Sequence, residues 1–121
     1  MSTPPNTFEI LSAELLAFAR ERDWEQFHSP KNLAMSLAIE AAELMEHFQW
    51  LDGEQSKALP DAKHEAAALE MADVLIYLIR LSQVMGVDLE AAVRRKMAIN
   101  AARYPVAASR GRSLKYDELG D

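Results

Sequence analysis

The few glycines and prolines of this 121-residue chain fall between long segments of strong helix formers, and this spacing constrains the fold most. The chain contains 4 Gly and 5 Pro. Ala, Leu, Glu, Met and Arg dominate the intervening segments, and all of them favour helix. The alternating apolar and polar pattern of a half-buried strand is absent. The sequence therefore predicts an all-α fold.

Four helices are predicted from the boundary signals. Asn6, Ser29 and Asp88 are N-cap residue types, Gly86 suits the position after a helix end, and Pro105 disfavours helix at the residue before it. The predicted ranges are about Thr7 to Arg22, Ser29 to about Trp50, Pro60 or Asp61 to the residue before Gly86, and Asp88 to about Arg103. Residues 23–29 and 52–56 are predicted loops.

Length and composition predict one soluble domain. A chain of this length fits a single domain, here a four-helix bundle over residues 7–104 with tails at 1–6 and 105–121. The net charge of −6 argues against a nucleic-acid partner. The absence of Cys excludes disulfides and thiolate zinc sites. With no signal-peptide pattern and no apolar run of membrane-spanning length, we expect a cytoplasmic protein without a membrane partner.

The third helix is apolar on more sides than a small bundle requires. The run from Val74 to Leu81 is interrupted only by Tyr77 and Arg80. A surface helix of a bundle normally shows one apolar stripe, so this helix needs cover on several sides. A second copy of the chain would supply that cover, and the sequence therefore predicts a homo-oligomer.

Acidic residues flank the predicted core stripes of the second and third helices. At about 100° per residue, the core stripes comprise Leu33, Leu37, Ala41, Leu44, Phe48 and Leu51 in one helix and Ala67, Met71, Val74, Leu78, Leu81 and Met85 in the other. The flanking stripes comprise Ser36, Glu40, Glu43, His47 and Trp50, and Ala66, Glu70, Asp73, Tyr77 and Arg80. If the two helices pack side by side, four carboxylates face one another across a groove.

Two interpretations of this acidic groove stay open. Four converging carboxylates repel, and a hard divalent cation such as Mg²⁺ or Mn²⁺ would relieve the repulsion. Acidic pairs three residues apart are also common on solvated helix faces. A di-iron site is disfavoured, because it requires two Glu-x-x-His helices and the only such spacing, Glu25 to His28, lies in a predicted loop. P-loop and nucleophile-elbow motifs are absent.

The acidic pairs and several other segments resemble the all-α nucleoside triphosphate pyrophosphohydrolases, the MazG-like group, and most closely its dCTP pyrophosphatase branch. The resemblance spans residues 8 to 119. The segments that carry it are Glu40-x-x-Glu43, Glu70-x-x-Asp73, Glu21 to His28, Phe48-Gln49-Trp50, Asp73 to Leu78, Lys96-Met97-x-Ile99-Asn100 and Arg103-Tyr104-Pro105.

The resemblance implies hydrolysis of a nucleoside triphosphate, with dCTP and 5-modified dCTP preferred, to a monophosphate and diphosphate. It implies Mg²⁺ held by Glu40, Glu43, Glu70 and Asp73. Oxygen ligands also suit Mn²⁺, which is expected as a substitute. Our hypothesis for the mechanism is that the attacking water is activated by a metal or by a glutamate, Glu40 or Glu43. The resemblance also implies a dimer or a tetramer made of dimers. The implied substrate-binding residues are Trp24, Glu25, Gln26, Phe27, His28, Trp50, Asp73, Tyr77, Lys96, Asn100 and Arg103.

One position departs from the pattern of this branch. Leu15 stands where the branch carries a histidine that contacts the substrate, so the base preference is left open. Two other interpretations are retained: a MazG-like enzyme acting on a broader range of nucleotides, and a non-catalytic helical module that binds a partner protein.

Overall fold

Helices are the regular secondary structure of residues 3–120, the part of the chain that the computed structural model describes, and no strand occurs among them. The helices are α1 (Thr7–Glu21), α2 (Pro30–Glu46), α3 (Gly53–Ser56), α4 (Asp61–Met85), α5 (Leu89–Arg103) and α6 (Val106–Ser109), with 3₁₀ turns at Glu25–Phe27 and Tyr116–Glu118. The all-α prediction is confirmed. Within this described range, no helix combines the length and the apolarity that a membrane span requires.

The boundary signals act as predicted. The side chains of Asn6, Ser29 and Asp88 each accept a hydrogen bond from the backbone N–H three residues later, at 2.8 to 3.1 Å. Each cap satisfies one of the backbone donors that a helix leaves open at its first turn. Gly86 follows the last residue of α4 with a positive φ of 68°, a conformation that favours glycine.

The predicted end of the second helix is wrong. α2 ends at Glu46, whereas the sequence predicts an end near Trp50. The backbone tightens after Glu46, because the N–H groups of His47 and Phe48 bond to carbonyls three residues back, at 3.2 and 2.9 Å. Trp50 therefore lies beyond the helix that carries Glu40 and Glu43, and its side chain is 86% exposed.

The segment 52–56, predicted as a loop, contains the one-turn helix α3. Asp52 accepts a hydrogen bond from the Gln55 N–H at 2.8 Å, and the Gln55 side chain accepts one from the Asp52 N–H at 3.0 Å. This reciprocal capping box stabilises the start of a helix. The predicted tail 105–121 also contains structure, namely α6 and the second 3₁₀ turn.

Packing divides the chain into two compact units, one that ends at Gly86 and one that begins at Val87. In the first unit α4 packs along α2 and, over a shorter length, against α1. Its buried apolar side chains are Ala19, Leu33, Ala67 and Ile79. In the second unit Leu119 is buried, and Tyr116 packs edge-on against Tyr104, with the ring centroids 6.2 Å apart. The single domain predicted over 7–104 crosses the boundary at Gly86 and stays a prediction.

The core of the first unit differs in part from the predicted stripe. Met71 and Met85, predicted to be core residues of α4, are 54% and 57% exposed. Ile79, which the stripe omitted, is fully buried. Apolar residues surround α4, and this single chain covers only some of them.

Candidate active site

Three glutamates from α2 and α4 meet across the helix pair. Glu40 and Glu43 lie on α2, and Glu70 lies on α4. One carboxylate oxygen from each lies within 4.8 Å of the other two, and all three residues are half-buried. The side-by-side packing of the two helices thus brings these predicted acidic residues together.

Two oxygens of this cluster are buried without a protein partner. Oε2 of Glu40 and Oε2 of Glu70 are inaccessible to solvent and accept no hydrogen bond from the described residues. A buried acceptor without a partner is costly in a folded protein. The cluster therefore contains two buried oxygens that could act as ligands of a cation.

The pKa of Glu40 reflects this crowding. Burial is the largest cause that raises the pKa of Glu40 to about 7. The adjacent Glu70 and Glu43 carboxyl groups add to the effect, and so do the negative charges of Glu43 and Asp73. Each of these causes disfavours the ionised form, so Glu40 keeps its proton to a higher pH than an exposed glutamate does.

The donor set fits a hard divalent cation. All of its candidate ligand atoms are carboxylate oxygens, which suit Mg²⁺ and Mn²⁺ better than softer metals. A bound cation would supply the partner that the buried oxygens lack, and it would offset the repulsion among the carboxylates.

A cavity of about 280 Å³ lies in the same unit. Its lining residues come from α1, α4 and the segment between α1 and α2: Leu15, Phe18, Ala19, Trp24, His28, Asp73, Ile76, Tyr77 and Arg80. Asp73 connects the cavity to the glutamate cluster, since it lines the cavity and its charge acts on Glu40. The site thus joins a cation-type acidic cluster to a pocket with apolar and aromatic walls.

Predicted substrate-binding residues divide into two groups in the first unit. Trp24, His28, Asp73 and Tyr77 line the cavity. Glu25, Gln26, Phe27 and Trp50 are not among the lining residues of this cavity.

The second group makes other contacts or faces solvent. Glu25 accepts a hydrogen bond from Arg20 Nε at 3.1 Å, and Gln26 donates to the backbone carbonyl of Asp23 at 2.9 Å. Trp50 is 86% exposed, beyond the end of α2.

The predicted phosphate-contacting residues lie in the second unit. Lys96, Asn100 and Arg103 are exposed residues of α5. The Arg103 guanidinium lies over the Tyr116 ring, 4.6 Å from its centroid. Their part in the site stays a prediction.

Arg80 is not among the predicted site residues, although it lines the cavity and is only 3% exposed. Its Nε donates to Nδ1 of His28 at 3.2 Å. A signal was available, because Arg80 shares a predicted helix stripe with Asp73 and Tyr77. Leu15, noted for its departure from the resemblance, also lies in the cavity wall.

The fold and this site define a class of helical proteins in which a carboxylate cluster adjoins a small-molecule cavity. A model of the MazG-like family matches residues 35–119. The chain is 44% identical to dCTP pyrophosphatase 1 of Mus musculus over 119 residues, which cover 97% of this chain and 70% of the mouse protein. It is 46% identical to dCTP pyrophosphatase 1 of Homo sapiens, with the same two coverages.

A solved structure is similar as well. The crystal structure of a pyrophosphatase from Archaeoglobus fulgidus superposes with a TM-score of 0.80 at 38% sequence identity, and the match covers 87% of this chain and 98% of that chain. The chain belongs to the MazG-like family.

Proposed function

We propose that this protein is a Mg²⁺-dependent pyrophosphohydrolase that converts dCTP, including 5-modified dCTP, and water into dCMP and diphosphate. The observation that carries the proposal is the cluster of Glu40, Glu43 and Glu70 beside the cavity that Asp73 shares. The dCTP pyrophosphatase activity named for the mouse and human relatives supports the choice of substrate.

The carboxylates of Glu40, Glu43, Glu70 and Asp73 would hold the cation. When bound, Mg²⁺ would neutralise phosphate charge and polarise the α-phosphorus. A carboxylate oxygen of Glu40 or Glu43 accepts a proton from the attacking water. The water oxygen then bonds to the α-phosphorus, and the bond from that phosphorus to the α–β bridging oxygen breaks.

The cavity would bind the base and the sugar. Trp24 offers an aromatic face for stacking, while His28 and Tyr77 offer polar groups at the cavity wall. We include the remaining predicted contacts in the proposal: Glu25, Gln26, Phe27 and Trp50 near the base and sugar, and Lys96, Asn100 and Arg103 at the phosphates. Lys96 and Arg103 would offset the charge that develops on the leaving diphosphate.

The proposal also includes the assembly, the location and the biological role of the protein. We propose a cytoplasmic homo-oligomer, either a dimer or a tetramer made of dimers, that removes unwanted nucleotides from the precursor pool. Mn²⁺ would substitute for Mg²⁺, since both prefer oxygen ligands.

Diphosphate release from dCTP with Mg²⁺ tests the function. Glu43→Gln removes the charge of one cluster carboxylate with little change of volume, and we expect kcat to fall by about 100-fold or more. Glu46→Gln is the matched control, because Glu46 lies one turn further along α2 and is exposed. Undiminished turnover in Glu43→Gln would overturn the assignment of the cluster.

A panel of canonical and modified nucleotides tests the substrate. We expect dCTP and its 5-modified forms to have the highest kcat/KM. Similar kcat/KM values for all bases would favour an enzyme that acts on a broader range of nucleotides. The apolar Leu15 at the cavity wall would fit that alternative. No diphosphate release from any nucleotide would favour a non-catalytic module. Such a module does not by itself explain the two buried carboxylate oxygens without partners.

A further inference from the structure

A chain of hydrogen bonds connects α1, α4 and the cavity wall beneath His28. Arg80 donates through Nε to Nδ1 of His28 at 3.2 Å and through Nη1 to Oε1 of Gln83. The amide nitrogen of Gln83 donates to the carbonyl oxygen and to Oγ of Ser12, both at 2.7 Å. Arg80 is 3% exposed, so water competes little for its donors.

The donor and acceptor groups fix the direction in which this chain of hydrogen bonds runs. The backbone carbonyl of Ser12 can only accept, so the amide nitrogen of Gln83 faces it and Oε1 of Gln83 faces Arg80. A guanidinium has donors and no acceptor, so Nδ1 of His28 must present its lone pair to Arg80. A neutral imidazole with a free lone pair on Nδ1 carries its proton on Nε2.

The charge state of His28 agrees with this direction. Burial lowers the pKa of His28 most, the charge of Arg80 lowers it further, and Glu25 opposes them. A lowered pKa favours the neutral ring at physiological pH, as the hydrogen bond from Arg80 requires. No described residue accepts a hydrogen bond from Nε2 of His28, so this N–H is free to contact a ligand in the cavity that the ring lines.

We propose that Arg80 is a positioning residue that holds His28 in its Nε2–H tautomer, so that the cavity offers a hydrogen-bond donor to a ring nitrogen or carbonyl oxygen of the bound base. This inference rests on the proposed function for the identity of the ligand. The tautomer itself is a property of the ligand-free protein. Arg80 would act on binding through His28 and would leave the carboxylate cluster unchanged.

Nitrogen NMR of the histidine rings tests the tautomer without any substrate. In ¹⁵N-labelled protein with EDTA at neutral pH, we expect Nδ1 of His28 to have the shift of an unprotonated nitrogen and Nε2 that of a protonated one. His28→Gln assigns the signals. Protonated Nδ1 in the unmodified protein would overturn the inference and would leave the pyrophosphohydrolase proposal intact.

Arg80→Lys tests the role of the guanidinium. Lysine keeps the charge but lacks the planar donor fork that reaches His28 and Gln83 together. We expect the His28 signals to move toward a mixture of tautomers, while those of His47 and His64 stay unchanged and report an intact fold. His28 signals identical to those of the unmodified protein would overturn the inference.

Steady-state kinetics tests the consequence for binding. Because a mixture of tautomers offers the donor in only part of the molecules, Arg80→Lys should raise KM for dCTP about twofold or more and leave kcat nearly unchanged. In the His28→Gln background, whose amide supplies a donor without a tautomer, Arg80→Lys should have little further effect. An equal effect in both backgrounds, or a fall in kcat alone, would overturn the inference.

A matched control leaves the chain of hydrogen bonds largely intact. Ser12→Ala removes one acceptor of Gln83 but keeps the backbone carbonyl, so KM and the His28 signals should stay as in the unmodified protein. If Arg80→Lys does not fold, Gln83→Met removes the second anchor of the guanidinium and should shift KM and the His28 signals in the same direction. Unchanged values in a folded Gln83→Met protein would count against the inference.

Discussion

Glu40 combines burial with three acidic neighbours, and its ionisation should therefore be linked to folding. Its pKa rises from 4.5 to about 7 in the folded chain, first because of burial and then because of the nearby carboxyl groups. A raised folded-state pKa means that the protonated form is favoured by folding. The associated stability is fully present below pH 4.5 and is lost as pH rises through about 7.

This linkage predicts a pH effect on the metal-free protein. With EDTA present, the free energy of unfolding should fall between about pH 4.5 and about pH 8, and Glu40→Gln should reduce that fall because glutamine does not ionise. Urea denaturation at several pH values measures it. Glu46→Gln, an exposed control, should follow the unmodified protein. Equal slopes for Glu40→Gln and the unmodified protein would contradict the assigned surroundings of Glu40.

Residues whose role depends on helical spacing could be predicted, and residues whose role depends on tertiary contact could not. Glu40, Glu43 and Glu70 follow from the period of two helices that pack together. The contact of Arg80 with His28 joins residues 52 positions apart, and no local pattern specifies it. The sequence predicts Trp50 on the acidic stripe, whereas α2 ends at Glu46, and no local pattern shows that end.

At the scale of elements, α2 and α4 each expose an apolar face beside the contact that they share. Met35 and Ile39, one turn apart on α2, are 53% and 56% exposed. Met71 and Leu75, one turn apart on α4, are also exposed. Side chains four residues apart in a helix share a face, so each pair forms a continuous apolar strip.

These strips predict self-association. The purified protein should sediment as a dimer or a tetramer, and Ile39→Lys together with Met71→Lys should shift it toward the monomer, because a buried lysine charge is costly at an apolar interface. Analytical ultracentrifugation measures the change. Glu14→Gln, which raises the net charge at an exposed position of α1, should leave the assembly unchanged. A monomer at high concentration before any substitution would contradict this prediction.

At the scale of the whole molecule, the fold class and the limits of the long helices, apart from the end of α2, follow from the sequence, since capping residues and glycine act locally. The division at Gly86 and the structure within residues 105–121 do not follow as directly, because the sequence of the last segment has mixed composition. The sequence also predicts Met71 and Met85 as core residues of α4, whereas both side chains are exposed in the single chain. Burial depends on all the elements that surround a helix, and a helical pattern does not specify them.

We propose above all that facing carboxylates from α2 and α4 bind a divalent cation that holds a triphosphate. The most direct measurement is a crystal structure with Mn²⁺ and a non-hydrolysable dCTP analogue, recorded with anomalous scattering from the manganese. We predict an anomalous peak bonded to oxygens of Glu40, Glu43 and Glu70 and to the phosphates of the analogue. Carboxylates that turn to bulk solvent, with no manganese between them, would contradict the account.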